Sequence, residues 1–207
     1  MSINYSVQAE VIDIRTDFPK KDDVFYVDTN VWYWLTYTRA SQADRPPAPY
    51  QIKDYPEYVN RVLSTNAFLK RSTFSLGELA YRIEMTEYDI YVKNNAEVPK
   101  KEFRHNCIGE RKAVTAEIET AWGQINQMSG LVGGGVDDVL ATAAIEQINM
   151  FPIDAYDACV LNLLRKKECV NIITDDGDFA SVPGIKVFTA NASVLAAAQN
   201  QKKLIQR

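Results

Sequence analysis

The sequence contains few of the residues that build disulfide or zinc sites. Among its 207 residues it has three cysteines, Cys107, Cys159 and Cys169, and a single histidine, His105. The odd number and wide spacing of the cysteines argue against a disulfide framework and against a tetrahedral zinc site. We therefore interpret the cysteines as reduced and structural.

Long apolar runs and a basic leader are missing too. No apolar stretch is long enough to cross a bilayer, and the N-terminus lacks the basic region, apolar core and cleavage site of a signal peptide. We expect a cytoplasmic protein with no membrane partner. The net charge of −4 and the pI of about 5.1 do not match the basic footprint of a general nucleic-acid binder. A nucleic-acid partner would need local basic patches, or metal ions that offset the negative charge of the site.

Short apolar runs that end abruptly at acidic residues predict buried strands. Residues 24–27 form such a run before Asp28, and residues 170–174 form another before the cluster 175–178. Strand and helix patterns alternate along the chain, which predicts an α/β fold with a mainly parallel sheet covered by helices on both faces. Sites in such sheets lie beyond the carboxyl ends of the strands. Asp28 and the acids of residues 175–178 are therefore expected to converge.

The remaining patterns predict elements with approximate bounds. Residues 38–56 hold four of the eight prolines and are expected to form a loop. Further strands are expected at 11–14, 72–74 and 186–188, and further helices at 56–70, 101–128, 136–149 and 190–201, with one more starting near 75 and one capped by Asp154. Gly133-Gly134-Gly135 lacks the Lys-Ser/Thr of a phosphate loop and is interpreted as a turn.

The acidic residues also have purely local interpretations. Asn30 is the better-placed cap for the helix after the first strand, with Asp28 as the alternative. Ser75 and Glu78 have the spacing of a capping box. Asp157 has the position of a first-turn acid behind the cap Asp154. Residues 175–178 have the composition of a polar turn, although three acids in one turn repel one another unless something binds them.

Taken together, four motifs in this order resemble the PIN-domain nuclease family, which includes the ribonuclease toxins of toxin–antitoxin pairs. The motifs are Asp28-Thr29-Asn30 after a strand, Glu78-Leu79 and Asp157-Ala158 early in helices, and Thr174, Asp176, Asp178 and Phe179 in a Thr-x-Asp-x-Asp-Phe pattern. The resemblance covers roughly residues 24–188. It implies one PIN-like domain over 1–207, a three-layer α/β/α fold, with an N-terminal extension at 1–23 and a Pro-rich insertion at about 38–56.

The resemblance also implies a metal-dependent nuclease that cleaves RNA internally. Its catalytic and metal-binding acids would be Asp28, Glu78, Asp157 and Asp176, around Mg²⁺ or Mn²⁺. Carboxylate oxygens suit these ions, and a divalent cation both activates water and offsets the charge that develops on a phosphodiester. Asp178 would be an outer ligand, Asn30 and Thr174 would orient carboxylates or phosphate, and Asp154 is the alternative third acid.

Partners follow from the same resemblance. RNA would be the substrate, a toxin would have an antitoxin protein covering the acidic cleft, and a homodimer is expected because homodimers are common in the family. A second hypothesis keeps the fold without the chemistry. In it, the chain is a non-catalytic module of the same fold that binds RNA or protein.

Overall fold

A parallel sheet forms the centre of the molecule. The computed structural model describes residues 3–134 and 137–207. In this part of the chain six strands form one sheet, and every neighbouring pair is parallel. They are β1 (Glu10–Asp13), β2 (Val24–Val27), β3 (Phe68–Arg71), β4 (Gly130–Leu131), β5 (Asn171–Ile173) and β6 (Lys186–Thr189). The order β1-β6-β5-β2-β3-β4 places β2 and β5 side by side at the centre.

Helices cover both faces of this sheet. They are α1 (Thr29–Thr36), α2 (Pro49–Ser64), α3 (Phe74–Asn94), α4 (Lys100–Asn106), α5 (Ile108–Met128), α6 (Asp138–Met150), α7 (Ala155–Lys166) and α8 (Ala192–Asn200). Side chains from α1, α2, α3 and α5 pack in one core, and those from α6, α7 and α8 pack in the other. The predicted three-layer α/β/α fold is confirmed. No helix within the described ranges is both long and apolar enough to span a bilayer.

The two strands that the site depends on lie where the sequence predicts them. In β2, Phe25 and Val27 point into one core and Tyr26 points into the other. A strand buried on both faces has no polar side to alternate with, which explains the continuous apolar run. β5 and β6 lie within a residue or two of their expected positions, and β1 overlaps the expected strand at 11–14.

The loop predicted for residues 38–56 is wrong in its second half. Residues 40–42 form one 3₁₀ turn, and α2 already begins at Pro49. Proline is tolerated there because the first amides of a helix have no helical partner. The Gln51 side chain completes the start by accepting the Ala48 N–H at 2.7 Å. Pro56 lies inside α2, which ends at Ser64 rather than near residue 70.

The strand predicted at 72–74 lies earlier, at Phe68–Arg71. The Ser72 hydroxyl accepts the Ser75 N–H at 3.3 Å, so this serine supports the start of α3 instead of extending the strand. Hydroxyl side chains that bond to nearby backbone compete with strand formation in this way. The sequence pattern therefore predicts this strand a few residues too late in the chain.

The long helix predicted at 101–128 is two helices. α4 and α5 meet at Cys107, whose backbone leaves the helical region with φ −97° and ψ 68°. Phe103 of α4 is buried against the rings of Tyr88 and Tyr91, with centroid distances of 5.5 and 5.2 Å. This packing is long-range in sequence and leaves no signal in the local helical pattern.

The segment after the glycine run begins with a capped helix. The Asp137 carboxylate accepts the Leu140 N–H at 2.7 Å, so α6 starts at Asp138 rather than at 136. The turn predicted at the glycine run extends to Gly135, which with Val136 lies outside the described residues. The cap predicted at Asp154 is confirmed, because its carboxylate accepts the Asp157 N–H at 2.9 Å.

Arg207 is held by two aspartates from the segment before β2. The Arg207 guanidinium donates two hydrogen bonds of 2.8 Å to Asp17 and one of 3.0 Å to Asp23. Its central carbon lies 4.7 Å from the centre of the Phe188 ring. The Asp17 side chain is fully buried and that of Arg207 is 12% exposed. This pairing ties the segment before β2 to the end of the chain.

Arg207→Ala is expected to lower the free energy of unfolding by about 2–4 kcal/mol, because it leaves the buried Asp17 carboxylate without its bidentate partner. Urea unfolding is the suitable measurement, since guanidinium chloride would screen the ion pair. Arg15→Ala is the matched control. Its pairing with Asp13 is half-exposed, 50% on the arginine side, and should contribute at most about 1 kcal/mol. Equal effects of the two substitutions would contradict this account.

Candidate functional site

The site begins where β2 and β5 end. Val27 of β2 pairs with Ile173 of β5, so the residues that follow them, Asp28 and Thr174, lie opposite each other at the same edge. The Thr174 hydroxyl donates a 2.6 Å hydrogen bond to the Asp28 carboxylate. Both residues are buried. The predicted convergence of these two strand ends is therefore observed.

Asp28 has a second, local role. Its carboxylate accepts the Thr29 N–H at 2.6 Å, and it is the residue that caps α1. The prediction that Asn30 caps this helix is wrong, because Asn30 lies one residue inside α1. An aspartate directly after the strand reaches the free amides at the helix start, so the Asn30 side chain is not needed as the cap.

The carboxyl groups of Asp28 and Asp157 are affected by the charges of Glu78 and Asp176. Burial, together with the charges of Glu78 and Asp176, raises the pKa of Asp28 to about 7 against the lowering effect of the Thr174 hydrogen bond. Burial, together with the charges of Asp28, Asp154, Asp176 and Glu78, raises the pKa of Asp157 to about 9. Such effects require the acids to lie near one another in poorly solvated surroundings. Four residues distant in sequence thus share one region.

The turn after β5 carries the other acids. The Asp176 N–H donates to the Thr174 hydroxyl at 2.9 Å, and the Asp178 N–H donates to the Asp176 carboxylate at 2.9 Å. Burial and the charges of Asp176 and Asp154 raise the pKa of Asp178. Asp178 thus lies at the border of the acid cluster. Asp154 is exposed and uses its carboxylate to cap α7.

The first acid of the turn faces away from the others. The Asp175 carboxylate accepts hydrogen bonds from Tyr55 at 2.7 Å, Gln51 at 2.6 Å and Tyr50 at 3.1 Å, all of them on α2. Burial raises the pKa of Asp175 in spite of these donors. Asp175 therefore anchors the turn to α2, and the segment predicted to be a loop supplies the anchor.

Glu78 lies on α3 and pairs with Arg82 one helical turn later, at 3.2 Å. The capping-box interpretation of Ser75 and Glu78 is wrong, because α3 already starts at Phe74 and Ser75 is its second residue. The Ser75 side chain does not cap the helix. The carboxylate is one third exposed. Glu78 is therefore partly accessible to solvent and is paired with the Arg82 guanidinium.

A groove of about 710 Å³ runs from Glu78 along α3. Its cationic lining residues are Arg45, Arg82 and Lys100, and the exposed ring of Tyr81 lies beside them. Acidic side chains of Asp44 and Asp89 also line it, so the groove is mixed in charge rather than strongly basic. One wall comes from residues 43–45, inside the Pro-rich segment.

The donors of this cluster suit a hard divalent cation in kind, since all are carboxylate oxygens. Asn30 adds an amide oxygen that is buried and has no hydrogen-bond partner. Within residues 3–134 and 137–207, however, no three His, Cys, Asp or Glu side chains lie close enough to hold a metal ion as they stand. The Glu78 carboxylate is instead paired with Arg82 at 3.2 Å. Cation binding would require the side chains to rotate toward one another.

Two further residues lie at the site, Arg82 and Tyr5, and the sequence gives little or no indication of either. The spacing of Glu78 and Arg82, four apart on a helix, indicates their pairing in retrospect. Tyr5, by contrast, reaches the turn after β5 from the N-terminal segment, and the polar sequence around it predicts nothing of the kind. Its contact with Gly177 depends on the edge strand β1 being paired with β6.

Comparison with known proteins finds no matching family model, and no curated protein or solved structure with significant similarity to the chain. The function must therefore be inferred from the site.

Asp157→Asn is expected to stabilise the metal-free protein by on the order of 2 kcal/mol at about pH 8 and to have little effect near pH 4. The pKa of Asp157 is about 9 in the folded state and 3.8 ordinarily, so the folded chain binds more protons between these values. The stability that Asp157 contributes by holding its proton is fully present below pH 3.8 and is lost as the pH rises toward about 9. Urea unfolding in the presence of a chelator measures it.

Asp138→Asn is the control for this experiment. Asp138 is an exposed acid in the first turn of α6, so its loss should change stability only slightly at either pH. A destabilised Asp157→Asn protein at pH 8 would contradict the crowding of buried carboxylates.

Proposed function

We propose that this chain is a metal-dependent nuclease that hydrolyses phosphodiesters with Mg²⁺ or Mn²⁺, and more specifically an endoribonuclease of PIN type. The supporting observation is that the charges of Glu78 and Asp176 raise the pKa of Asp28 and Asp157 beyond the carboxyl ends of β2 and β5. Carboxyl groups with a pKa raised in this way are unfavourable for stability, and such perturbed groups cluster at functional sites. A divalent cation would reverse the repulsion.

Each residue has a proposed role. Asp28, Glu78, Asp157 and Asp176 would supply carboxylate oxygens to the cation, and Asp178 would lie outside them. Thr174 holds the Asp28 carboxylate and the Asp176 amide at once, so its hydroxyl fixes the relative position of two ligands. Asn30 would use its free amide oxygen to orient a ligand or the phosphate. The cation, when bound, supplies Lewis-acid chemistry that lowers the pKa of the attacking water.

The substrate proposed is RNA. The groove beside Glu78 offers Arg45, Arg82 and Lys100 for phosphates and the exposed Tyr81 ring for a base. These local cations supply what the acidic net charge does not. An antitoxin protein over the acidic cleft and a homodimer belong to the proposal only through the resemblance to toxins of this type.

A second candidate function is a non-catalytic module that binds RNA or protein. It is favoured by the spread of the carboxylates in the described residues and by the pairing of Glu78 with Arg82. A module that needs no metal has no need to bring the acids together. Metal binding and cleavage therefore discriminate between the two candidates.

Asp28→Asn is expected to reduce Mg²⁺- or Mn²⁺-dependent RNA cleavage to the level seen with chelator, because it removes a charged ligand from the cation. A circular single-stranded RNA is the suitable substrate, since it has no ends and only internal cleavage can open it. Asp22→Asn makes the same chemical change at an exposed residue and should leave cleavage intact. Circular dichroism verifies folding. Undiminished cleavage by a folded Asp28→Asn protein would refute the catalytic assignment.

Mn²⁺ binding is expected to release protons at about pH 6.5, because the pKa of Asp157 is raised to about 9 and that of Asp28 to about 7, so that Asp157 and a part of Asp28 would be protonated in the metal-free protein. Calorimetric titration in two buffers of different ionisation enthalpy measures the number released. Asp157→Asn should release fewer. A wild-type protein that gives no binding heat in either buffer would favour the non-catalytic module.

A further inference from the structure

The N-terminal segment lies directly on the turn that carries Asp176 and Asp178. We refer to residues 175–178 as the acid turn. Gly177 in this turn is buried, and the Tyr5 ring covers it. A Cβ placed on Gly177 would lie 2.3 Å from Cε1 and Cζ of Tyr5 and 2.6 Å from its hydroxyl oxygen. The ring therefore packs against the backbone between the two acids at a distance that only glycine allows.

The glycine is required by this contact and not by its own backbone. Gly177 has φ −73° and ψ −14°, a conformation that any residue adopts easily. Its conformational freedom is thus not used. What the position needs is the absence of a side chain, so that the Tyr5 ring can reach the peptide.

Several hydrogen bonds hold the N-terminal segment in this position. The Gln201 side chain accepts the Val7 N–H at 2.9 Å and donates to the Tyr5 carbonyl at 2.8 Å. The amides of Gln8 and Ala9 both donate to the carbonyl of Ala180, two residues after the acid turn, at 2.8 and 3.1 Å. The segment is thus fixed both to Gln201, directly after α8, and to the residues that follow the acid turn.

The acid turn is consequently held from two sides. On one side Asp175 is bound by three side chains of α2. On the other side the Tyr5 ring closes over Gly177. Between these supports lie Asp176 and Asp178, whose charges, after burial, raise the pKa of the Tyr5 phenol. Carboxylates that repel one another need such support to keep a defined geometry.

We propose that Tyr5 is a positioning residue of the acid site, which holds the backbone of the acid turn in place so that the side chains of Asp176 and Asp178 can rotate onto a cation. This proposal rests on the proposed function for its link to metal. It makes the N-terminal segment a working part of the site rather than an appendage. The ring carries the effect through packing, and the hydroxyl is dispensable.

The test compares Tyr5→Ala, Gly177→Ala and the double variant with wild type, and uses Tyr5→Phe as the conservative control. Tyr5→Ala removes the ring, and Gly177→Ala displaces it, so each should weaken Mn²⁺ binding by about tenfold in calorimetric titration. The double variant should bind no more weakly than either single one, since both changes abolish the same contact. Tyr5→Phe should bind like wild type. Ile3→Ala, an exposed neighbour, should have no effect.

Amide hydrogen exchange provides a readout that does not depend on metal. The amides of Asp176 and Asp178 are both hydrogen-bonded within the turn, and their exchange should accelerate about tenfold in Tyr5→Ala but not in Tyr5→Phe. If wild type binds no Mn²⁺, the nuclease proposal fails while exchange still decides the role of Tyr5. Unchanged exchange at these amides would overturn the proposal. So would unchanged Mn²⁺ affinity in a Tyr5→Ala protein that is merely less stable.

Discussion

The hydrogen bond from the Thr174 hydroxyl to the Asp28 carboxylate joins two strand ends that are far apart in the chain. It exists only because β2 and β5 pair in parallel with Val27 opposite Ile173, which brings the next residues to the same edge of the sheet. Thr174 also accepts the Asp176 amide and donates its own amide to Phe188 of β6. Thr174 thus joins Asp28 and Asp176 through its hydroxyl, and β6 through its backbone amide. The candidate site depends on this strand pairing more than on any single acid.

The acid cluster works against the stability of the fold. Burial and mutual repulsion raise the pKa of Asp28 and Asp157 far above the ordinary range, and only the Thr174 and Thr29 hydrogen bonds oppose this for Asp28. Two buried apolar cores, one on each face of the sheet, stabilise the fold against this cost. Local conflicts of this kind in an otherwise consistent fold are characteristic of functional sites.

The two segments that look like additions in the sequence both support the acid turn. The Pro-rich segment leads into α2, whose Tyr50, Gln51 and Tyr55 bind the Asp175 carboxylate. The N-terminal segment adds β1 to the sheet edge and places Tyr5 over Gly177. The turn is therefore held between two elements that both come from the N-terminal third of the chain. The N-terminal segment and the Pro-rich segment are therefore both in contact with the candidate site.

Local sequence determined the apolar strands β2 and β5, the caps of α7 and the alternation of strands and helices, because these depend on side chains within a few residues of one another. From the alternation follow the parallel sheet and the meeting of acids at its edge. Tertiary structure alone decided which strands are neighbours, that Cys107 divides a long helix, and that Asp175 faces α2 while Asp176 does not. It also brought Tyr5 to Gly177. These outcomes depend on packing between segments far apart in the chain, and no local pattern of residues records which distant partner a side chain will meet.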